Sequence, residues 1–413
     1  MSSRSVKYGV RLLCLFFGAV SVLIALSAYA QDGPHGTAEK IAIERLPAGG
    51  CPAFEDDMDL KRLAAGLESS ISYYKKLPED RQFEFGGDRF RAGRLKDGLA
   101  RFLSFIRGQP SQDALKKWIS RHFCVYRVGG GMASDDILYT GYYMPILNGS
   151  REKTAVYRYP IYNRPGDLVA ITLEDFCDSC SRDRVVGRRS GKEVVPYYSR
   201  QTIKSRGGLE DTAAPIVWVD DPVDLFFLHV QGSGIVRLPS GRLINVHYAA
   251  SNGRPYRSIG KYLIDRGKIA RKDLTMQSIR RYLKSHPALQ DDIFAYNPRY
   301  VFFEEAPGGP KGCLGVELTP GRSVAMDQGR YPSGALAFIR TEKPLLDKSG
   351  RVKAWERFSR FVLNQDTGDA IKGLERVDIF WGGGRYAEAA AGRMKHPGGL
   401  YILMPKPGPS KKG

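Results

Sequence analysis

The sequence predicts a mainly β protein with a helical N-terminal part, and three observations carry that expectation. Apolar residues recur at helical spacing early in the chain: Leu60, Leu63, Leu67 and Ile71 up to Pro78, then Leu95 to Ile106, then Leu115, Trp118 and Ile119 on one face. After about Tyr126 the texture changes to short β-branched and aromatic runs punctuated by glycine and proline. These run from Ile137 to Tyr143, Tyr157 to Tyr162, Ile216 to Val219, Leu225 to Val230 and Arg242 to Tyr248, which reads as a barrel or sandwich. Two helices interrupt the strands, at Ser258 to Asp265 and at Asp273 to Ser285, the second with Asp273 as its cap and Met276, Ile279 and Leu283 inward. Strand texture resumes at Tyr300 to Phe303 and continues to Leu403, before a basic, proline-rich tail from Lys406 to Gly413.

The ends and the composition bound what the chain can be. Arg4, Lys7 and Arg11 precede an apolar run from Leu12 to Leu26, and Ala28-Tyr29-Ala30 supplies the small residues a signal peptidase needs, so residues 1–30 read as an export signal. The run falls short of the ~20 residues that span a bilayer, and no second such run follows, so no transmembrane segment is expected after cleavage. Cys14 lacks the small neighbours of a lipoprotein cleavage site, and no lipid anchor is expected. The remainder is long enough for two domains at roughly 150 residues each. The net charge of +19 comes from scattered Lys and Arg rather than a basic arm. For an exported chain this favours a polyanionic extracellular matrix over nucleic acid. Cys51, Cys124, Cys177, Cys180 and Cys313 follow the signal. In an oxidising compartment they can pair, Cys177-Asp178-Ser179-Cys180 can close on itself, and one thiol stays free.

Three aspartates in the last quarter carry the chemistry. Asp378 stands between Val377 and Ile379 on a short β-branched stretch that ends in Phe380-Trp381 and three glycines. That pattern delivers one carboxyl group into an apolar cleft. Burial disfavours the charged form, so such a carboxyl keeps its proton, which is what a general acid near neutral pH requires. Asp366, in Asp366-Thr367-Gly368, and Asp327, in Ala325-Met326-Asp327, are the other two acids. On its own the Asp366 segment reads first as a turn or cap, as an aspartate next to glycine most often does. The histidines His35, His122, His229, His247, His286 and His396 show no ligand spacing such as HxxxH, so no metal and no cofactor are expected.

Several polar segments are too ordered for linkers. Thr140 to Pro145 holds the adjacent Tyr142 and Tyr143. In His229 to Gly234, read as a strand, Gln231 and Ser233 share a face, with Gly232 and Gly234 allowing a ligand near the backbone. Tyr248 and the stretch from Asn252 to Lys261, with Tyr256, Arg257 and Lys261, add aromatic, amide and cationic groups. Aromatic faces pack on pyranose rings and planar amides hydrogen-bond their hydroxyls, so this is a kit for holding sugars.

Together these motifs resemble the membrane-bound lytic murein transglycosylase A family. The resemblance rests on Thr140 to Pro145, Tyr159-Pro160-Ile161-Tyr162, Val230 to Gly234, Tyr256 to Lys261 with Leu263 to Gly267, Asn297 to Phe303, and Asp366 to Gly384, in that order over roughly residues 50–405. It implies a double-psi β-barrel, joined by the N-terminal helices and interrupted by a second β-barrel domain, with the substrate groove between them. The insert would span residues 145–308, and the catalytic domain residues 44–144 with 309–405. It also implies the catalytic role for Asp378, with Asp327 and Asp366 as the family's other acids. Two departures stand out. Asp369 occupies a position where the family usually carries glycine, which adds a fourth carboxylate, and the family name presupposes a lipid anchor.

The implied reaction cuts the β-1,4 bond between N-acetylmuramic acid and N-acetylglucosamine in peptidoglycan glycan strands without water, leaving a 1,6-anhydro end. One acid suffices, because the nucleophile is intramolecular and gains from proximity. The rival enzymatic reading is a two-carboxylate hydrolase with Asp366 or Asp327 as base, and the non-enzymatic rival is a wall-binding module. A periplasmic location, an association with the outer membrane, and other cell-wall enzymes as partners complete the expectation.

Overall fold

The computed structural model describes residues 42–129, 137–173, 176, 184–368 and 370–407. The export segment, Cys177, Cys180 and Asp369 lie outside the described residues. Three amphipathic helices open the fold. Leu60–Tyr74 starts where the Asp59 carboxylate accepts the Arg62 N–H, and it buries Leu63, Leu67, Ile71 and Tyr74 on one face. Ala92–Arg107 buries Leu95, Leu99, Phe102 and Ile106 in the same way, and Gln112–His122, capped by Ser111, buries Leu115 and Ile119. All three faces share one apolar core with the barrel that follows.

That barrel has six strands: Ile137–Met144, Ser323–Ala325, Leu336–Leu346, Val352–Asp366, Arg376–Gly383 and His396–Pro405. The last strand pairs with the third through Leu336 and Leu403 and with the first through Tyr139 and His396, and this second pairing closes the ring. Closure leaves no bare edge within the ring. Phe123–Gly129 and then Ala42–Arg45 extend the sheet outward from the His396–Pro405 strand. The architecture is the expected mainly β one, with helices at the N-terminus.

Between the first and second ring strands the chain builds a second sheet. Its order is Val301–Glu305, Leu243–Ser251, Ser233–Arg237, Ile146–Ser150, Pro215–Val219 and Tyr159–Tyr162. A bridge from Asn163 to Phe303 brings its two edges together around Leu147, Ile161, Val217, Val236, Val246 and Phe303. Backbone and side-chain bonds tie this sheet and its helices to the first barrel. The Ile235 N–H donates to the Pro145 carbonyl at 2.8 Å and the Met276 N–H to the Gly392 carbonyl at 3.0 Å. Arg280 donates to the Tyr143 hydroxyl at 3.2 Å and also pairs with Asp224.

Four expectations are corrected here. Leu225 to Val230 is part of a helix, Pro222–Gln231, and not a strand. Asp221 accepts the Val223 and Asp224 N–H groups, Pro222 pre-sets the first turn, and Gly232, at φ 80°, ends the helix in a left-handed conformation. The run Val223 to His229 is buried on nearly every side, and a continuous apolar run carries no period that separates helix from strand. The cap of Met276–Ser285 is Thr275, which exchanges side-chain and backbone bonds with Ser278, while Asp273 ends a short 3-10 turn. The β texture near the C-terminus is interrupted by the helix Arg385–Ala391. Cys51, Cys124 and Cys313 are free thiols, so none of these three forms a disulfide. No helix among the described residues is long and apolar enough to cross a membrane.

Candidate active site

Register brings two of the three aspartates together. Ala325 pairs with Asp378 on one side and with Asp366 on the other, and Asp378 pairs with Thr140 on its far side. Residues opposite one another in a sheet point to the same face, so Thr140, Asp378, Ala325 and Asp366 form one row. Their Cα atoms span the two acids at about 10 Å, twice the inter-strand spacing, and the small Ala325 leaves room between the carboxyl groups. Along the strands, period two adds Tyr142 beside Phe380, with ring centroids 5.2 Å apart, and Arg376 two residues before Asp378. Val377, Ile379 and Trp381 alternate into the barrel core.

The same alternation separates the two adjacent tyrosines. Tyr142 lies on the face of the acids and donates its hydroxyl to Asp366 Oδ2 at 2.8 Å. Tyr143 points the other way and is 3% exposed within the core, which corrects its expected place on the sugar face. Gly141, between them, is required by packing: a Cβ there would lie 2.6 Å from Trp381 Nε1.

The two carboxyls differ in what holds them. Asp366 accepts three donors, the Tyr142 hydroxyl on Oδ2 and the Cys313 and Thr367 N–H groups on Oδ1, at 2.8, 3.0 and 2.9 Å. Burial pushes its pKa up, these donors pull it down, and repulsion from Asp378 raises it again. Among the described residues Asp378 has a single long contact, 3.5 Å from Arg376 Nη2 to Oδ1. Its side chain is 16% exposed; burial raises its pKa and Arg376 is the group that opposes the rise. Burial and the neighbouring Asp366 push the Tyr142 phenol well above its ordinary range, so it remains a donor. Burial leaves both carboxyls above the ordinary range, Asp366 in spite of its three donors and Asp378 against the pull of Arg376.

The remaining expected residues lie elsewhere in the framework. Asp327 follows the Ser323–Ala325 strand and accepts the Gly329 N–H at 2.9 Å and the Gly373 N–H at 2.8 Å, which ties its turn to the loop after Asp366. Gln231 is the last residue of the Pro222–Gln231 helix and Ser233 the first of a strand, so they do not share a strand face as expected. Gln231 Oε1 accepts the Tyr143 N–H at 2.9 Å, a joint between the second sheet's helix and the first barrel. Gln231→Ala therefore leaves that amide without its acceptor, and thermal melting should show a loss of about 1–3 kcal/mol. Arg257 donates its N–H to Asn297 Oδ1 at 3.2 Å, and Tyr256 lies near Arg200, whose pKa burial lowers to about 10 against the opposing pull of Tyr300 and Tyr256. Lys261 pairs with Asp265 one turn along its helix, at 2.8 Å. Sequence reasoning missed Arg376 and Phe380, although period-two spacing from Asp378 was the signal for both. It also missed Cys313, whose backbone contact with Asp366 has no local signature.

A closed barrel with paired carboxyls on one face, joined to a second barrel through its own strand connections, defines a two-barrel protein with an acid pair at its site. Comparison with known proteins gives the family. Residues 138–304 match the MltA specific insert domain and residues 322–404 match the 3D domain. The membrane-bound lytic murein transglycosylase A of Escherichia coli (strain K12) is 32% identical over 276 residues, 66% of this chain and 67% of that protein. The Vibrio cholerae protein of the same name is 29% identical over 67% of this chain and 68% of its own. Among solved structures, a membrane-bound lytic murein transglycosylase from Agrobacterium tumefaciens superposes with a TM-score of 0.73 at 30% identity, covering 88% of this chain and 98% of that one. MltA from Neisseria gonorrhoeae gives 0.67 at 29% identity, with 91% and 97% covered. The chain belongs to the membrane-bound lytic murein transglycosylase A family.

Proposed function

We propose that the chain is a peptidoglycan lytic transglycosylase in which Asp378 is both acid and base. The observation that carries this reading is the contrast within the acid pair: Asp378 is buried with one weak cationic contact, whereas both oxygens of Asp366 already accept hydrogen bonds. Asp378 donates its proton to the glycosidic oxygen as the C1–O bond breaks. Its carboxylate then takes the proton of the 6-hydroxyl of the same N-acetylmuramic acid residue as that oxygen bonds to C1. The 1,6-anhydro ring closes, the proton is back on Asp378, and no water is consumed. Burial and the repulsion between Asp366 and Asp378 disfavour two charged carboxyls in one row, so the pair retains a proton before cleavage. An Asp366 engaged by three donors is a poor base for activating water, which weighs against the two-carboxylate alternative.

Residues 145–308 serve as the inserted substrate-binding domain in this reading, residues 44–144 with 309–405 as the catalytic domain, and residues 1–30 direct export to the periplasm. Association with the outer membrane and with other cell-wall enzymes extends the same reading. The discriminating measurement is mass spectrometry of products from purified sacculi digested in ¹⁸O-water. Anhydro-muropeptides free of ¹⁸O are expected. Reducing ends carrying ¹⁸O identify a hydrolase, and no release of soluble glycan identifies a binding protein.

A further inference from the structure

We infer that Arg376 is a positioning residue that orients Asp378 and sets the strength of its acid, an assignment that rests on Asp378 being the proton donor. Arg376 and Asp378 alternate on one strand, so their side chains emerge on the same face two residues apart. The guanidinium is fixed from three directions. Nε and Nη2 both donate to Thr140 Oγ1 at 3.2 Å, Nη1 donates to the Ala370 carbonyl at 3.2 Å, and Nη2 reaches Asp378 Oδ1 at 3.5 Å. Thr140 is the residue that pairs with Asp378 in the ladder. The cation is therefore locked to the strand next to the acid and to the loop that follows Asp366. Its side chain remains 32% exposed, against 16% for that of Asp378.

Among the described residues, the acids nearest Asp378 have the opposite effect. Asp366 faces it across Ala325, and the Tyr142 phenol comes from the strand on its other side. The helix packed on this strand, Arg385–Ala391, brings Glu388, whose charge acts on Tyr143 and Arg280. Each of these is an acid, so Arg376 is the group that steadies the Asp378 carboxylate once its proton has gone to the leaving oxygen. A single acid/base needs this balance. A carboxyl that holds its proton too firmly is a weak donor, and one that loses it too readily is discharged before the substrate arrives.

Turnover needs protonated Asp378, so the rate falls as pH rises through its pKa. Removing the cation raises that pKa. The alkaline limb of the pH profile should then move to higher pH, by about one unit for a partly exposed partner, while the maximal rate drops roughly tenfold. The test measures kcat and KM for anhydro-end formation on purified uncrosslinked glycan strands, from pH 4 to pH 9, for the parent, Arg376→Gln and Arg376→Lys. The expected result is an upward shift and a kcat loss in Arg376→Gln, little change in KM, and a limb returned towards the parent's in Arg376→Lys. A limb that stays in place in Arg376→Gln, or a lysine variant no closer to the parent than the glutamine one, overturns the inference. Melting curves of both variants separate loss of fold, which lowers active enzyme at every pH without moving the limb. If the parent itself makes no anhydro ends, it is the transglycosylase reading that fails.

Discussion

Asp378→Asn is expected to lower the release of anhydro-muropeptides by at least ~10²-fold, since it removes the proton donor and leaves an isosteric amide. The fold should survive, and its stability has a definite pH dependence. Burial raises the folded-state pKa of Asp378 above the ordinary carboxyl value of about 3.9. Below that value the carboxyl is protonated whether the chain is folded or not, and it contributes nothing. As pH rises towards the folded pKa the unfolded chain ionises while the folded one does not, so the aspartate costs stability, and the full cost is reached above the folded pKa. The asparagine variant should therefore melt above the parent at neutral pH and level with it at low pH. Sacculus pulldown should be unchanged. Retention of more than a few per cent of parental activity would remove Asp378 from the mechanism.

The largest effect on stability is expected from Asp56→Ala. Asp56 and Arg322 are 3% and 0% exposed, and both guanidinium nitrogens Nη1 and Nη2 donate to the carboxylate, at 2.6 and 2.9 Å. Arg322 also donates to the Phe361 and Asp59 carbonyls, and Asp56 accepts the Phe361 N–H. The pair pins the segment before the first helix to the barrel strand that ends in Asp366. Removing one partner strands the other charge out of water, which costs ~3–5 kcal/mol. Replacing both, as Asp56→Ala with Arg322→Met, removes the stranded charge and should recover much of the loss. Denaturant unfolding of the two variants and the parent checks this. A double variant as unstable as Asp56→Ala would mean that the lost packing and backbone bonds, not the unpaired charge, carry the effect.

The comparison of sequence with structure turns on which signals are local. The three N-terminal helices were legible because each buries residues one turn apart, and that period is written in Leu60, Leu63, Leu67 and Ile71 and again from Leu95 to Ile106. The strand carrying Asp378 was legible for the same reason: Val377, Asp378 and Ile379 alternate in polarity, and a strand alternates in facing. The helix Pro222–Gln231 was not legible as a helix, because Val223 to His229 is buried between two layers and shows no polar face to set a period. Its caps, Asp221-Pro222 and Gly232, were the better signal.

What the sequence by itself determined is thus the class of fold, the family, and a carboxyl on an alternating strand at Asp378. The tertiary structure alone decided the company that carboxyl keeps. Asp366 stands in its row because Ala325 pairs with both acids, and Asp366 is held by the N–H of a residue 53 positions earlier and the hydroxyl of one 224 positions earlier. Tyr142 was separated from Tyr143 by which face of the closed barrel became core, and the Gln231 oxygen was set against the Tyr143 amide by the helix that carries it. The physical reason is range. Periodicity and capping act over one or two turns of chain, whereas register, barrel closure and buried charge pairing depend on contacts between segments that are neighbours only after folding.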